Sequence, residues 1–178
     1  KNGRPGTLMA GFEPTLGSAD VDDVVALLRS WQVTSPLLAK PPPAVRPPPI
    51  PLGPVPLNPK GPEPAGFQHY PTNTPADVIK AQLDRGARMA LLDARPPSDY
   101  SNEHIAGAVS VPFYDPDPYF AGLPKDAWLI CYCACPAAES GQLAQKLTAH
   151  GFPKVTVLAE GLGAWRIRKY GTHTGQDP

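Results

Sequence analysis

Neither sign of charge dominates this chain: Lys+Arg 16 stands against Asp+Glu 16 over 178 residues. A balanced surface offers no basic excess to neutralise phosphates, which argues against nucleic acid as a partner. No acidic tail is present, and no apolar run approaches the ~18 residues that a membrane-spanning helix needs. Cysteine is scarce, with 3 residues, too few for a disulfide-framed scaffold. No Cys-x-x-Cys-His occurs anywhere, so these residues alone cannot attach a haem covalently. The first residue is Lys1 rather than Met, as in a processed product or an excerpt.

What the chain has in excess is proline, 26 residues, roughly three times average usage. Half of them, 13, fall within residues 36–64. Proline lacks an amide donor and clashes inside helices, so this stretch predicts polyproline II rather than helix or inner strand. A semi-rigid spacer is the plain reading of residues 33–73. A docking segment for a groove-type partner and a strap lying along its own domain are the alternatives.

Upstream, Val21, Val24, Val25, Leu28 and Trp31 recur at helical spacing after Ser18, which reads as the N-cap, with Asp20, Asp22 and Asp23 in the first turn. About 14 residues of helix cannot bury that face alone, so it calls for a partner upstream or in the second domain.

From residue 74 onward, short apolar runs alternate with helical patterns, which predicts an α/β domain with a mainly parallel sheet. Thr74-Pro75 reads as a helix start with proline at the first helical position, and Val78, Ile79 and Leu83 as its inner face. Strands are predicted at residues 89–92, 109–113, 128–132 and 155–158, and helices at 139–150, capped by Gly151, and 163–169. The run WLICY at 128–132 is apolar throughout, as expected of a parallel strand covered on both faces.

The three cysteines are Cys131, Cys133 and Cys135. Cys133 stands at the carboxyl end of the WLICY strand, where open α/β sheets bind ligands. The loop Ala134, Cys135, Pro136, Ala137, Ala138, Glu139, Ser140 leads from it into a helix. Backbone amides and a helix N-terminus around Cys133 would lower a thiol pKa and hold an oxyanion. That is a nucleophile's setting; three merely buried cysteines are the plainer alternative. A metal site is not expected, because the spacing fits no common zinc pattern.

Four motifs in order give the domain a family resemblance. They are Asp93-Ala94-Arg95; Asp99-Tyr100 with His104-Ile105-Ala106-Gly107-Ala108; Tyr132-Cys133; and Gly161-Leu162-Gly163-Ala164-Trp165. Residues 74–178 resemble the rhodanese family of sulfurtransferases. The resemblance implies that Cys133 takes a sulfane sulfur from a thiosulfate or persulfide donor, becomes a persulfide, and yields the sulfur to cyanide or a thiol. Small sulfur compounds are the implied substrates, and the implied reaction needs no cofactor in this chain. Asp93 is then expected to accept hydrogen bonds from loop amides, Arg95 and His104 to order a turn, and Cys131 to pack. Cys135 is placed to resolve a persulfide, although a disulfide across one residue is strained. The family's loop often carries Arg or Lys for anionic thiosulfate; this one has none and ends in Glu139, which predicts weak thiosulfate use. The same lack argues against the phosphatases that share the fold, which need an arginine for phosphoryl oxygens.

Residues 1–32 resemble the C-terminal end of a class I c-type cytochrome, in the stretch NGRPGTLMAGFEPTLGSADVDDVVALLRSW. Met9 occupies the position of the haem axial ligand, a role open to it only if a longer parent chain supplies an upstream haem-binding segment. This resemblance implies a periplasmic or otherwise extracytoplasmic setting and a cytochrome or thiol redox partner; a cytoplasmic module is the alternative. Two further functions follow as alternatives to an active enzyme: a catalytically weak binding module, and a persulfide carrier coupled to the cytochrome.

Overall fold

The computed structural model describes residues 17–34, 49–134 and 137–178. Met9, Cys135 and Pro136 lie outside the described residues. The chain divides into two compact units, Lys1–Arg46 and Pro47–Pro178.

In the first unit, helix α1 runs Ser18–Thr34. Ser18 is its first helical residue rather than its cap. Asp20 Oδ2 accepts from the Gly17 amide at 2.8 Å, one half of a capping box with Gly17 at the cap. Val24, Leu27 and Leu28 are about half exposed, at 48, 51 and 49%.

The second unit holds a five-stranded sheet in the order β1-β6-β5-β2-β4, parallel throughout. Its strands are β1 Asn73–Thr74, β2 Met89–Asp93, β4 Ala108–Ser110, β5 Trp128–Tyr132 and β6 Val155–Leu158. The helices are α2 Ala76–Asp84, α3 Pro97–Asn102, α4 Ala138–Ala149 and α5 Gly161–Ile167, and a 3-10 turn spans Asp117–Gly122. A separate antiparallel pair joins β3 His104–Ile105 to β7 Thr172–His173. All five residues of β5 are buried, as the continuous apolar run predicts.

Because side chains alternate along a strand, β5 divides its residues between two cores. Trp128, Ile130 and Tyr132 join Met89, Leu91, Ile79, Tyr100 and Trp165 on one face. Leu129 and Cys131 join Leu92, Val157, Leu143, Ala144 and Leu147 on the other. Helices α2, α3 and α5 therefore cover one side, and α4 with the 3-10 turn covers the second. The chain leaves β2 outward to the edge strand β4, yet leaves β5 the opposite way to β6. The carboxyl ends of β2 and β5 thus form the point at which strand order reverses, where such sheets open a crevice.

Several element boundaries differ from the sequence-based expectation. Pro75 is the cap of α2, with an extended ψ of 148°, and not its first helical residue. A residue before proline is pushed toward extended backbone, and Thr74 accordingly pairs with Leu158 as an edge strand. The strand predicted at 109–113 is shorter, Ala108–Ser110, because Pro112 has no amide to extend the ladder. The last helix begins at Gly161, earlier than residue 163, and stops at Ile167 before Lys169 turns left-handed at φ 57°. Gly161 itself has φ +69°, a turn that glycine makes without steric cost.

The proline-rich stretch is more than a spacer over its described part. Ile50 is buried in the first core, and Leu52 and Val55 pack against the second. Asn58 Nδ2 donates to the Gly86 carbonyl at 2.7 Å, and Pro62 O accepts from the Arg88 amide at 2.9 Å. Glu63 accepts from the Trp128 indole at 3.0 Å and pairs with Lys154 at 2.7 Å. Phe67 meets the Trp128 ring edge-on at 5.3 Å between centroids. Prolines leave these segments few amides to satisfy, and hydrogen bonds such as these tie the described part along the domain.

Candidate active site

Cys133 follows the last residue of β5 and is fully buried. Its carbonyl accepts from the Leu162 amide at 2.9 Å, which ties the end of β5 to the start of α5. Its Sγ lies 3.4 Å from Ser140 Oγ, and Ser140 is fully buried as well. Ser140 belongs to the first turn of α4, so that helix presents its amino end beside the sulfur. The hydroxyl is within reach to donate to the sulfur. Ala137, the cap of α4, sits at φ 56° and ψ 6° without a side-chain capping bond. A non-glycine residue there costs about 1–3 kcal/mol, a strain typical of functional loops.

Sequence pattern marks Ser140 only as the end of the loop. The contact arises because α4 doubles back over β5, which local pattern does not reveal. A serine in a helix's first turn, seven residues after a strand-end cysteine, is the signal that points to it.

Asp93 ends β2 directly beside Tyr132 in the sheet register. It receives the Arg95 amide of the following turn and also binds that residue's guanidinium. Asp93 Oδ1 accepts from the Arg95 amide at 3.0 Å, and the guanidinium donates to both carboxylate oxygens at 2.6–3.2 Å. Arg95 also donates to the Glu103 carbonyl at 2.6 Å, closing the turn through α3. The pair is buried, with side-chain exposures of 8% and 0%. Burial works against the charged guanidinium, but Asp93 outweighs it and holds the Arg95 pKa above its ordinary value. Burial, then the Asp93 charge, pushes the Tyr132 phenol well up, so Tyr132 stays neutral; its oxygen accepts from the Ile105 amide at 3.0 Å. His104 is buried, stacked on Tyr100 at 3.8 Å, with Nδ1 2.8 Å from the Tyr100 carbonyl. It is a packing residue of the turn. Burial alone raises the Cys131 thiol far above the usual range, so Cys131 remains a protonated packing group.

Next to Cys133 a cleft of about 270 Å³ opens between the β2–α3 turn and α5, lined among others by Arg95, Asp99, Glu103, Ala134, Gly163 and Arg166. None of the described loop residues 134 and 137–140 is a cation. Burial, with Asp99 and Asp93 nearby, raises the Glu139 pKa despite an opposing effect of Arg95. A carboxyl with a raised folded-state pKa costs stability once ionised. That cost sets in as pH rises from the ordinary glutamate range through the folded-state pKa. Glu139→Gln is therefore expected to melt higher than wild type at pH 7 and at the same temperature near pH 3. A thermal melting series across pH checks this, and an equal difference at every pH would contradict it.

No group of three or more His, Cys, Asp or Glu able to hold a metal ion occurs among the described residues. No described helix is long and apolar enough to cross a membrane. The chain lacks the Cys-x-x-Cys-His that would attach haem, so its residues do not fit that group.

The fold is thus an α/β domain whose central parallel strand ends beside Cys133, next to the amino end of α4. The Rhodanese-like domain family model matches residues 75–168, and the chain belongs to that family. It is 32% identical over 96 residues to the probable adenylyltransferase/sulfurtransferase MoeZ of Mycobacterium tuberculosis, covering 53% of this chain and 24% of that protein. The chain thus spans about a quarter of the length of the curated relatives it matches. Among solved structures, the Alr3790 protein from Anabaena sp. superposes with a TM-score of 0.53 at 31% identity, over 57% of this chain and 80% of that one. Thiosulfate sulfurtransferase from Pseudomonas aeruginosa gives 0.53 at 28% identity, over 59% of this chain and 20% of its own. The BH2092 protein from Bacillus halodurans gives 0.54 at 25%, over 57% and 76%.

Proposed function

We propose that the protein is a sulfurtransferase in which Cys133 carries sulfane sulfur as a persulfide. The observation that supports this reading is Cys133 just beyond the carboxyl end of β5, with its Sγ 3.4 Å from the Ser140 hydroxyl at the amino end of α4. The Cys133 thiolate attacks the outer sulfur of a donor; the new S–S bond forms as the donor's own bond to that sulfur breaks. An acceptor nucleophile then takes the outer sulfur, and Cys133 departs again as a thiolate. Ser140 and the amino end of α4 stabilise that thiolate in both half-reactions.

The test is mass spectrometry of the intact chain after incubation with thiosulfate, inorganic polysulfide or an organic persulfide. A gain of one sulfur on Cys133 supports the reading; no gain with any donor favours a binding module. Complete burial of Cys133 and the cation-free described loop are the observations behind that second reading. The resemblance of residues 1–32 extends the proposal to a persulfide carrier outside the bacterial cytoplasm that serves a c-type cytochrome.

Donor preference follows from charge. Ala138 is exposed and is the first residue of α4. A cation there would add a charge-assisted hydrogen bond to an anionic donor, about 1.5–3 kcal/mol before screening by solvent. Ala138→Arg is expected to raise thiosulfate kcat/KM about ten-fold, and persulfide kcat/KM less. Steady-state assays at two salt concentrations decide it, and equal gains for both donors would refute the charge argument.

A further inference from the structure

We propose that the cleft beside Cys133 is an acceptor subsite for a small thiol of amino-acid type, its carboxylate held by Arg166 and its ammonium by Asp99 and Glu103. The inference rests on the sulfur-transfer reading above and names the acceptor class for it.

Two arginines, Arg95 and Arg166, and two carboxylates, Asp99 and Glu103, line the cleft. Arg95 is already satisfied by the buried Asp93 and by the Glu103 carbonyl, so among the described lining residues Arg166 is the cation left for a ligand. Its Nε pairs with Glu103 Oε2 at 3.2 Å, and the two side chains are 61% and 30% exposed. A solvent-exposed pair of this kind exchanges readily. A carboxylate can therefore join Arg166 while an ammonium takes up Glu103. Asp99 is exposed at the amino end of α3, and Glu139 feels its charge. With these acids present, a simple dianion meets repulsion, whereas a zwitterion meets both signs.

Size and position agree. About 270 Å³ lies below the range usual for drug-sized ligands, roughly 300–1,000 Å³, so the occupant is small. Ala134 lines the cleft and directly follows Cys133, and Leu162, which also lines it, donates its amide to the Cys133 carbonyl. Cys133 is fully buried and is not itself among the lining residues, so its loaded sulfur has to emerge past Ala134 to meet a thiol anchored here. The acceptor's thiolate attacks the outer sulfur of the Cys133 persulfide. The acceptor S–S bond forms, the Cys133 S–S bond breaks, and Cys133 leaves as a thiolate. The acceptor becomes a persulfide, and no external oxidant or reductant is consumed.

The experiment loads Cys133 with sulfur and measures transfer to four thiols. These are cysteine, cysteamine with only the ammonium, 3-mercaptopropionate with only the carboxylate, and neutral 2-mercaptoethanol. Arg166→Ala is expected to lower the preference for cysteine over 2-mercaptoethanol about ten-fold through KM, the low end for a charge-assisted bond at an exposed site. Arg166→Lys restores part of it, and Asp99→Asn lowers the preference for cysteamine. Unchanged preferences in Arg166→Ala would overturn the inference while leaving sulfur transfer intact. Amide NMR titration with unreactive S-methylcysteine separates the two readings. Shifts at Ala134 and Gly163 that vanish in Arg166→Ala support the subsite even if sulfur never loads, in which case the transfer reading alone fails. Absence of such shifts in wild type overturns the subsite.

Discussion

Cys133→Ser is expected to abolish sulfur transfer and to keep the fold. The serine oxygen cannot form a persulfide, so the covalent intermediate is lost altogether. Removing a covalent nucleophile typically costs a thousand-fold or more, so turnover should drop roughly to background. The fold should survive because the substitution is nearly isosteric. A hydroxyl at residue 133 also faces the Ser140 hydroxyl, a partner able to donate or accept. Mass spectrometry should find no added sulfur on the variant, and melting should change by only a few degrees. Residual turnover near the wild-type level would move the nucleophile elsewhere and would falsify the site.

Arg95→Met is expected to be the most destabilising single change near the site. It leaves the Asp93 carboxylate fully buried without its cation and removes the bond that closes the turn at Glu103. Breaking one side of a buried ion pair costs about 3–5 kcal/mol. For a unit of this size that corresponds to a melting temperature roughly 10–20 °C lower. Adding Asp93→Asn should recover much of the loss, because no buried charge is then unpaired. Denaturant unfolding of the two variants and wild type decides it. A deficit below about 1 kcal/mol, the scale of exposed pairs, would show that water reaches Asp93.

Asp93, Arg95 and Cys133 show how far the sequence carries. WLICY is readable as an inner strand because it is apolar at every position, and that pattern alone places Cys133 at a strand end. Asp93 and Arg95 are visible because their pairing is local, two residues apart. The tie from Arg95 to the Glu103 carbonyl is not visible, since it depends on the path of α3. Ser140 and Arg166 reach the site by tertiary folding, one from a helix that doubles back and one from a helix some thirty residues further on. The two-residue strands β1, β3 and β7 escape notice because two residues carry no periodicity. Proline argues from sequence against helix in residues 36–64, but it does not show that Ile50, Leu52 and Val55 turn inward.

That inward turn bears on how the domain is to be excised. A fragment cut at Thr74, where the family pattern starts, would strip the Trp128 indole of both Glu63 and Phe67. It would also open the sheet surfaces now covered by Ile50 and Leu52. Such a fragment presents fresh apolar area to its neighbours, and its natural fate in a concentrated solution is association with other copies. The described proline-rich residues from Ile50 to Val55 thus keep that surface covered, and being stiff before folding they lose little entropy in doing so.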